Sequence, residues 1–144
     1  MPSGRGLPTL VLFERKETEV PRVSKQSAAT VDDYGIAEDR HEDLDGYTVS
    51  FVTIHQANDL APMLKGLPDD RCQCPHWGYV FGGTLTFAYA DREESYQAGD
   101  AFYAPPGHTP RADAGTEFLQ FSPSEELQVS VSAIQANMQA MQHA

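Results

Sequence analysis

The stretch GYVFGGTLTFAYADREESYQAGDAFYAPPGHTP, residues 78 to 110, decides the fold. Val, Thr, Tyr and Phe fill its short apolar runs, and Gly, Pro and Asp interrupt them. Residues of the first kind suit a pleated, half-buried surface, and those of the second punctuate it with turns. Read outward, the same grammar continues. YTVSFVTIHQA (47 to 57), CQCPHWGYVFGG (72 to 83), TLTFAYADR (84 to 92), ESYQAGDAFYAPPG (94 to 107) and EFLQFSP (117 to 123) are each short and strand-like. Strands at such regular intervals predict an all-β sandwich or barrel.

The flanks differ. Residues 1 to 6 read as a disordered tail. LPTLVLFERK (7 to 16) reads as a strand, and 20 to 46 as a long polar arm with at most one short strand. NDLAPMLKGL (58 to 67) predicts a short helix capped by Asn58 or Asp59 and ended by Gly66. At the C-terminus, Ser122 and Glu125 form a capping-box pattern with Pro123 at the first helical position. Leu127, Val131, Ile134, Met138 and Met141 follow at spacings of four and three, one apolar stripe of a helix over 124 to 144. This helix is expected to pack on the barrel or on a partner subunit.

Composition narrows the function. The 144 residues suffice for one domain with its own core, 40% of them hydrophobic. A formal net charge of −11 repels phosphate backbones and anionic membranes, so neither nucleic acid nor a membrane is an expected partner. Apolar runs are too short to cross a bilayer, and MPSGRGLPTL lacks the apolar core of a signal peptide, which makes a cytoplasmic location the default expectation. Cys72 and Cys74 stand too close together for a useful staple, so free thiols or metal ligands are expected.

Side chains alternate faces along a strand. A regular strand would place Cys72, Cys74, His76, Gly78 and Val80 on one face, metal-capable at one end and apolar at the other. Pro75 removes a ladder donor and implies an edge, bulge or bend. Straight geometry would let Cys74 join His76 at a metal, whereas Cys72 would need a bulge to reach it.

The stretch 78 to 110 resembles the two sequence motifs of small single-domain cupins, and the resemblance spans roughly 47 to 123. Tyr79-Val80-Phe81-Gly82-Gly83 is similar to the glycine turn that closes the first motif. On that alignment His76 takes the position of the usual Glu, Cys72 that of the second His and Asp70 that of the first. Gly99, DAFYA and Pro105-Pro106-Gly107 match the second motif; Pro110 stands at its His position, and His108 is the nearest imidazole. The resemblance implies a jelly-roll barrel over 47 to 123 with the 7 to 46 arm before it, and a homodimer paired through sheet edges and N-terminal arms. The aromatic residues along these strands, as core or cavity wall, suggest a pocket for a small, largely apolar organic ligand.

Cys72, Cys74, His76 and His108 are therefore the candidate ligands for one divalent transition metal: Zn, Fe, Cu or Ni. Strand alternation favours Cys74, and the family alignment favours Cys72. Val80, Phe87 and Tyr103 are expected on the pocket wall. Gln120 lies in an otherwise apolar run, either as a polar anchor inside the barrel or facing solvent. A metal centre would make the protein a metal-binding cupin, with oxygenase, isomerase or lyase chemistry if it is an enzyme. The alternative is a metal-free binding or redox-sensing module, with packed cysteines and no catalysis.

Overall fold

The computed structural model describes residues 21 to 143, so the expected tail at 1 to 6 and strand at 7 to 16 lie outside the described residues. Ten strands and one α-helix follow in chain order: β1 Thr30–Asp33, β2 Ala37–Leu44, β3 Tyr47–Ile54, β4 Asn58–Asp59, β5 His76–Gly82, β6 Thr84–Ala88, β7 Glu93–Gln97, β8 Ala101–Ala104, β9 Thr109–Ala112, β10 Glu117–Pro123 and α1 Ser124–Gln142. The strands form two antiparallel sheets, ordered β1-β2-β3-β10-β5-β8 and β4-β9-β6-β7. Between them lies a core of Ile54, Val80, Leu85, Phe87, Phe102, Ala104, Ala112 and Phe118. The all-β jelly roll with a C-terminal helix is the architecture expected from the sequence.

The arm was underestimated. Residues 30 to 44 form two full strands, and β2 pairs with β3 over its whole length from Ala37↔Ile54 to Leu44↔Tyr47. The composition of β2, AEDRHEDL, hides this, because acidic residues are depleted in strands. Near a sheet margin, such charges discourage stray pairing. A signal was present all the same. Asp45 and Gly46 both have positive φ, 51° and 84°, and make the two-residue hairpin turn that an Asp-Gly pair favours. Strand β9 was also missed, because Pro110 interrupts its pattern; it pairs with β6 through Phe87↔Pro110.

The expected helix at 58 to 67 is a single 3-10 turn, Ala61–Leu64, with Asp59 Oδ1 accepting a hydrogen bond from the Ala61 amide at 2.9 Å. The capping box at Ser122 does not form. Ser122 is still within β10, and its hydroxyl is spent on His76 Nδ1 at 2.7 Å. Leu127 and Ile134 pack helix α1 against Leu64, Leu67, Cys72 and Cys74. Asn137 Nδ2 ties the helix to the carbonyls of Met63 and Lys65 at 2.7 and 3.0 Å. The apolar stripe loses contact at Met141, which is exposed. No helix among the described residues is long and apolar enough to cross a membrane.

Candidate metal centre and cavity

Inside the jelly roll is a cavity of about 320 Å³. Strand alternation aims its lining inward from both sheets: Val52 and Ile54 from β3, Phe118 and Gln120 from β10, Leu85 and Phe87 from β6. Helix α1 contributes Leu127, Val131, Ile134 and Met138, so the stripe read from the sequence walls the cavity as well as packing the helix down.

One polar part of the lining is metal-capable. Cys72, His76 and His108 are all buried, and one potential ligand atom from each lies within 4.8 Å of the others. Backbone geometry assembles the trio. Residues 73 to 75 are not in a strand, so the alternation that groups Cys74 with His76 does not apply there. Cys72 instead forms an isolated bridge with His108, its amide donating to the His108 carbonyl at 2.9 Å. That bridge brings Cys72 beside the motif-two imidazole, and β5 begins at His76. The break before β5 supplies the irregularity that Cys72 needed.

Each side chain is held by a second contact. His108 Nδ1 donates to the Pro105 carbonyl at 2.7 Å, which fixes the tautomer with the lone pair on Nε2. That Nε2 is buried without a hydrogen-bond partner. His76 bonds Ser122 Oγ through Nδ1, and its Nε2 faces Cys72 Sγ at 3.8 Å. The two imidazole rings are 4.9 Å apart. Burial pushes the His76 pKa down to about 3, with His108 adding to the effect. Burial also lowers His108, against the pull of the Pro105 carbonyl. Both rings are therefore neutral near pH 7, the state in which imidazole binds metal. Cys72 Sγ lies 3.1 Å from Ser130 Oγ; burial raises its pKa, partly offset by that contact.

Donors on one tetrahedral zinc stand roughly 3.3 to 3.6 Å apart. The 3.8 Å between Cys72 Sγ and His76 Nε2 is close to that span. One thiol, two neutral imidazoles and an orphaned Nε2 thus fit a three-ligand site with an open fourth position.

The remaining expectations divide. Cys74 is outside the trio. Its side chain packs with Leu64 and Leu67 beneath the helix, its Sγ faces the Pro75 carbonyl at 3.4 Å, and burial pushes its pKa up to about 12. Phe87 and Gln120 line the cavity, while Val80 is fully buried in the core without lining it. Tyr103 is on the wrong face: β8 alternates, Phe102 and Ala104 point in, and Tyr103 is 48% exposed against Trp77 at 5.0 Å. Asp70, aligned with the first motif ligand, is in a 3-10 turn outside the trio. Sequence reasoning missed Ser122 and Ser130, the hydroxyls beside His76 and Cys72. Ser130 stands three positions after Leu127, on the packed side of the helix, and that spacing was the available signal.

No family model matches the chain, and no curated protein matches it. Solved structures do. A protein of unknown function from Rhizobium leguminosarum bv. viciae 3841 is 15% identical, with a TM-score of 0.55, covering 73% of this chain and 97% of that one. The polyketide cyclase RemF from Streptomyces resistomycificus is 15% identical, with a TM-score of 0.53, covering 73% and 80%. An RmlC-like cupin from Shewanella frigidimarina NCIMB 400 is 16% identical, with a TM-score of 0.49, covering 72% and 92%.

Proposed function

We propose that this chain is a small-molecule-binding jelly roll of cupin type with a transition-metal centre at Cys72, His76 and His108. The observation that carries the reading is His108 Nε2. A buried nitrogen lone pair with no partner is costly, and here it stands within ligand distance of a second imidazole and a thiol. Bound there, a divalent metal would supply Lewis acidity or an oxygen-activating centre. The residues themselves hold the donors neutral, fix the His108 tautomer and shield the centre beneath Phe87 and helix α1. The cavity is within the size range of small-ligand sites and is largely apolar, which favours a small, mainly hydrophobic organic ligand. RemF is named a polyketide cyclase, and that supports assaying this pocket for catalysis as well as binding.

Elemental analysis of untagged protein, joined to zinc titration, tests the centre. One metal per chain is expected. Protein that carries no metal and takes up no Zn²⁺, Fe²⁺, Cu²⁺ or Ni²⁺ would refute it. Native mass spectrometry of the same preparation reads any co-purified ligand.

A metal-free module is the second reading, favoured by the Cys72–Ser130 contact, which satisfies the thiol without a metal. Its redox-sensing form draws little support, since both thiols are buried with raised pKa values and thiolate is the reactive form. A homodimer belongs to the same proposal. Tyr47, Trp77, Tyr79, Phe81, Tyr103 and Phe121 are all 40% exposed or more on the outer face of the larger sheet, and a second copy of the chain would cover them. Free buried cysteines suit a reducing compartment, in keeping with a cytoplasmic location.

A further inference from the structure

Among the described residues, three buried side-chain atoms lack a hydrogen-bond partner: His108 Nε2, Thr53 Oγ1 and Asp39 Oδ1. Two of these residues, His108 and Asp39, line the same cavity. The proposed metal centre accounts for His108. It does not account for Asp39, which is on a different strand of the wall.

Asp39 is on β2, opposite Val52 of β3; Val52 is opposite Phe118 of β10, and Phe118 is opposite Val80 of β5. Across β3, β10 and β5 the row beside the carboxylate is therefore apolar, while on the β1 side Asp39 stands opposite Asp32, which His41 pairs. His76 stands four residues before Val80 on β5, roughly 13 Å of strand, so Asp39 and the trio are at separate places in the cavity. The neighbouring cations are engaged elsewhere. Arg40 pairs with Glu38, Arg111 with Glu93, and His41 with Asp32. Burial pushes the Asp39 carboxyl up to about 6, with His41 and a hydrogen bond from the Ser50 hydroxyl working against that and Asp32 adding to it. An aliphatic residue would pack beside Val52 without this cost. One carboxylate oxygen, Oδ1, is left without a partner in the cavity wall, and a ligand donor would satisfy it.

Resting on the pocket reading above, we propose that Asp39 anchors the ligand: the cavity takes a largely apolar molecule that presents one hydrogen-bond donor, a hydroxyl or a protonated amine, at the end away from His108. Gln120 lines the cavity two strands away and one row further along the sheet, a second, neutral polar contact for the ligand.

Three matched probes test this: 2-naphthol, 2-naphthylmethylamine and 2-methylnaphthalene, titrated by fluorescence into the full chain and into Asp39→Leu and Asp39→Asn. The wild type should bind at least one donor-bearing probe about tenfold to a hundredfold more tightly than the methyl probe, as a hydrogen bond to a charged group does. Asp39→Leu should erase that preference, keep or improve binding of the methyl probe, and raise the melting temperature by about a few degrees. Asp39→Asn separates the two donors, since it should retain part of a hydroxyl preference and lose an amine preference. Equal binding of all three probes by wild type overturns the anchor and leaves the pocket standing. So does a preference that survives Asp39→Leu, or a lowered melting temperature in that variant, which would make Asp39 structural. Failure of every probe to bind overturns anchor and pocket together, and zinc uptake, read separately, then reports on the metal centre alone.

Discussion

Strand β5 carries the two most different surfaces of the protein on alternate residues. Inward, His76, Gly78 and Val80 run from the metal-capable trio through a point of close approach to the core. Outward, Trp77, Tyr79 and Phe81 are 40 to 50% exposed. The inward residues are fixed by neighbours that cannot move. His76 is bonded by Ser122, and a Cβ on Gly78 would stand 2.3 Å from the Leu119 carbonyl oxygen and 2.4 Å from the Phe102 ring. The outward aromatics touch mainly one another, Trp77 against Tyr103 at 5.0 Å and Tyr79 against Phe81 at 5.3 Å. Tolerance to substitution should therefore alternate along this one strand.

The largest effect is expected at its first residue. His76→Ala, and likewise His108→Ala, should abolish zinc uptake measured by calorimetry, exceeding the roughly 10- to 100-fold loss typical of a missing supporting hydrogen bond. Retained stoichiometric binding in either variant would remove that ring from the centre. Gly78→Ala should cost about 3 kcal/mol in urea unfolding, since backbone and a packed ring both block the added methyl. A neutral result would show that the inward face is looser than the contacts imply.

Asp39 extends the contrast to β2. Its carboxyl is raised from 3.8 to about 6, so the folded chain holds a proton that the unfolded chain has released between those values. Stability should therefore fall as pH rises through that window, by up to about 3 kcal/mol, and stay low above it. Asp39→Asn should flatten this part of the profile. A profile unchanged by the substitution would show that Asp39 does not titrate as described.

The two thiols give a smaller difference. Cys72→Ser should weaken zinc binding about tenfold, a change of about 1.4 kcal/mol, while Cys74→Ser should leave affinity unchanged, because Cys74 packs beneath the helix. The reverse order would restore the simple strand alternation read from the sequence. Smallest is the outer face. Trp77→Ser should change monomer stability by about 1 kcal/mol or less, and it should shift light-scattering mass from dimer towards monomer. An unchanged dimer would place the subunit contact elsewhere.

Much of this was legible before any coordinates. Short β-branched and aromatic runs between Gly, Pro and Asp specify antiparallel strands, because the pleat and its turns select those residues locally. The Gly99 to Gly107 element and the glycine turn at 82 and 83 pointed to the jelly roll. The helical stripe from Leu127 to Met138 announced a packed helix, since spacing alone sets its apolar face. Strand β2 was hidden, because backbone pairing with β3 and the Asp45-Gly46 hairpin hold a chain that its acidic composition argues against.

The site followed the same division. That His76, His108 and a cysteine belong together could be read from residue types and motif positions. Which cysteine could not, since the answer depends on a non-local bridge between Cys72 and His108 and on the break in strand geometry at 73 to 75. Nor could the face of Tyr103, the diversion of Ser122 from helix cap to imidazole partner, or the orphaned Oδ1 of Asp39. Local pattern sets which elements form and which face is apolar. The company that His76, His108 and Cys72 keep is set by segments far apart in the chain, and only their packing decides it.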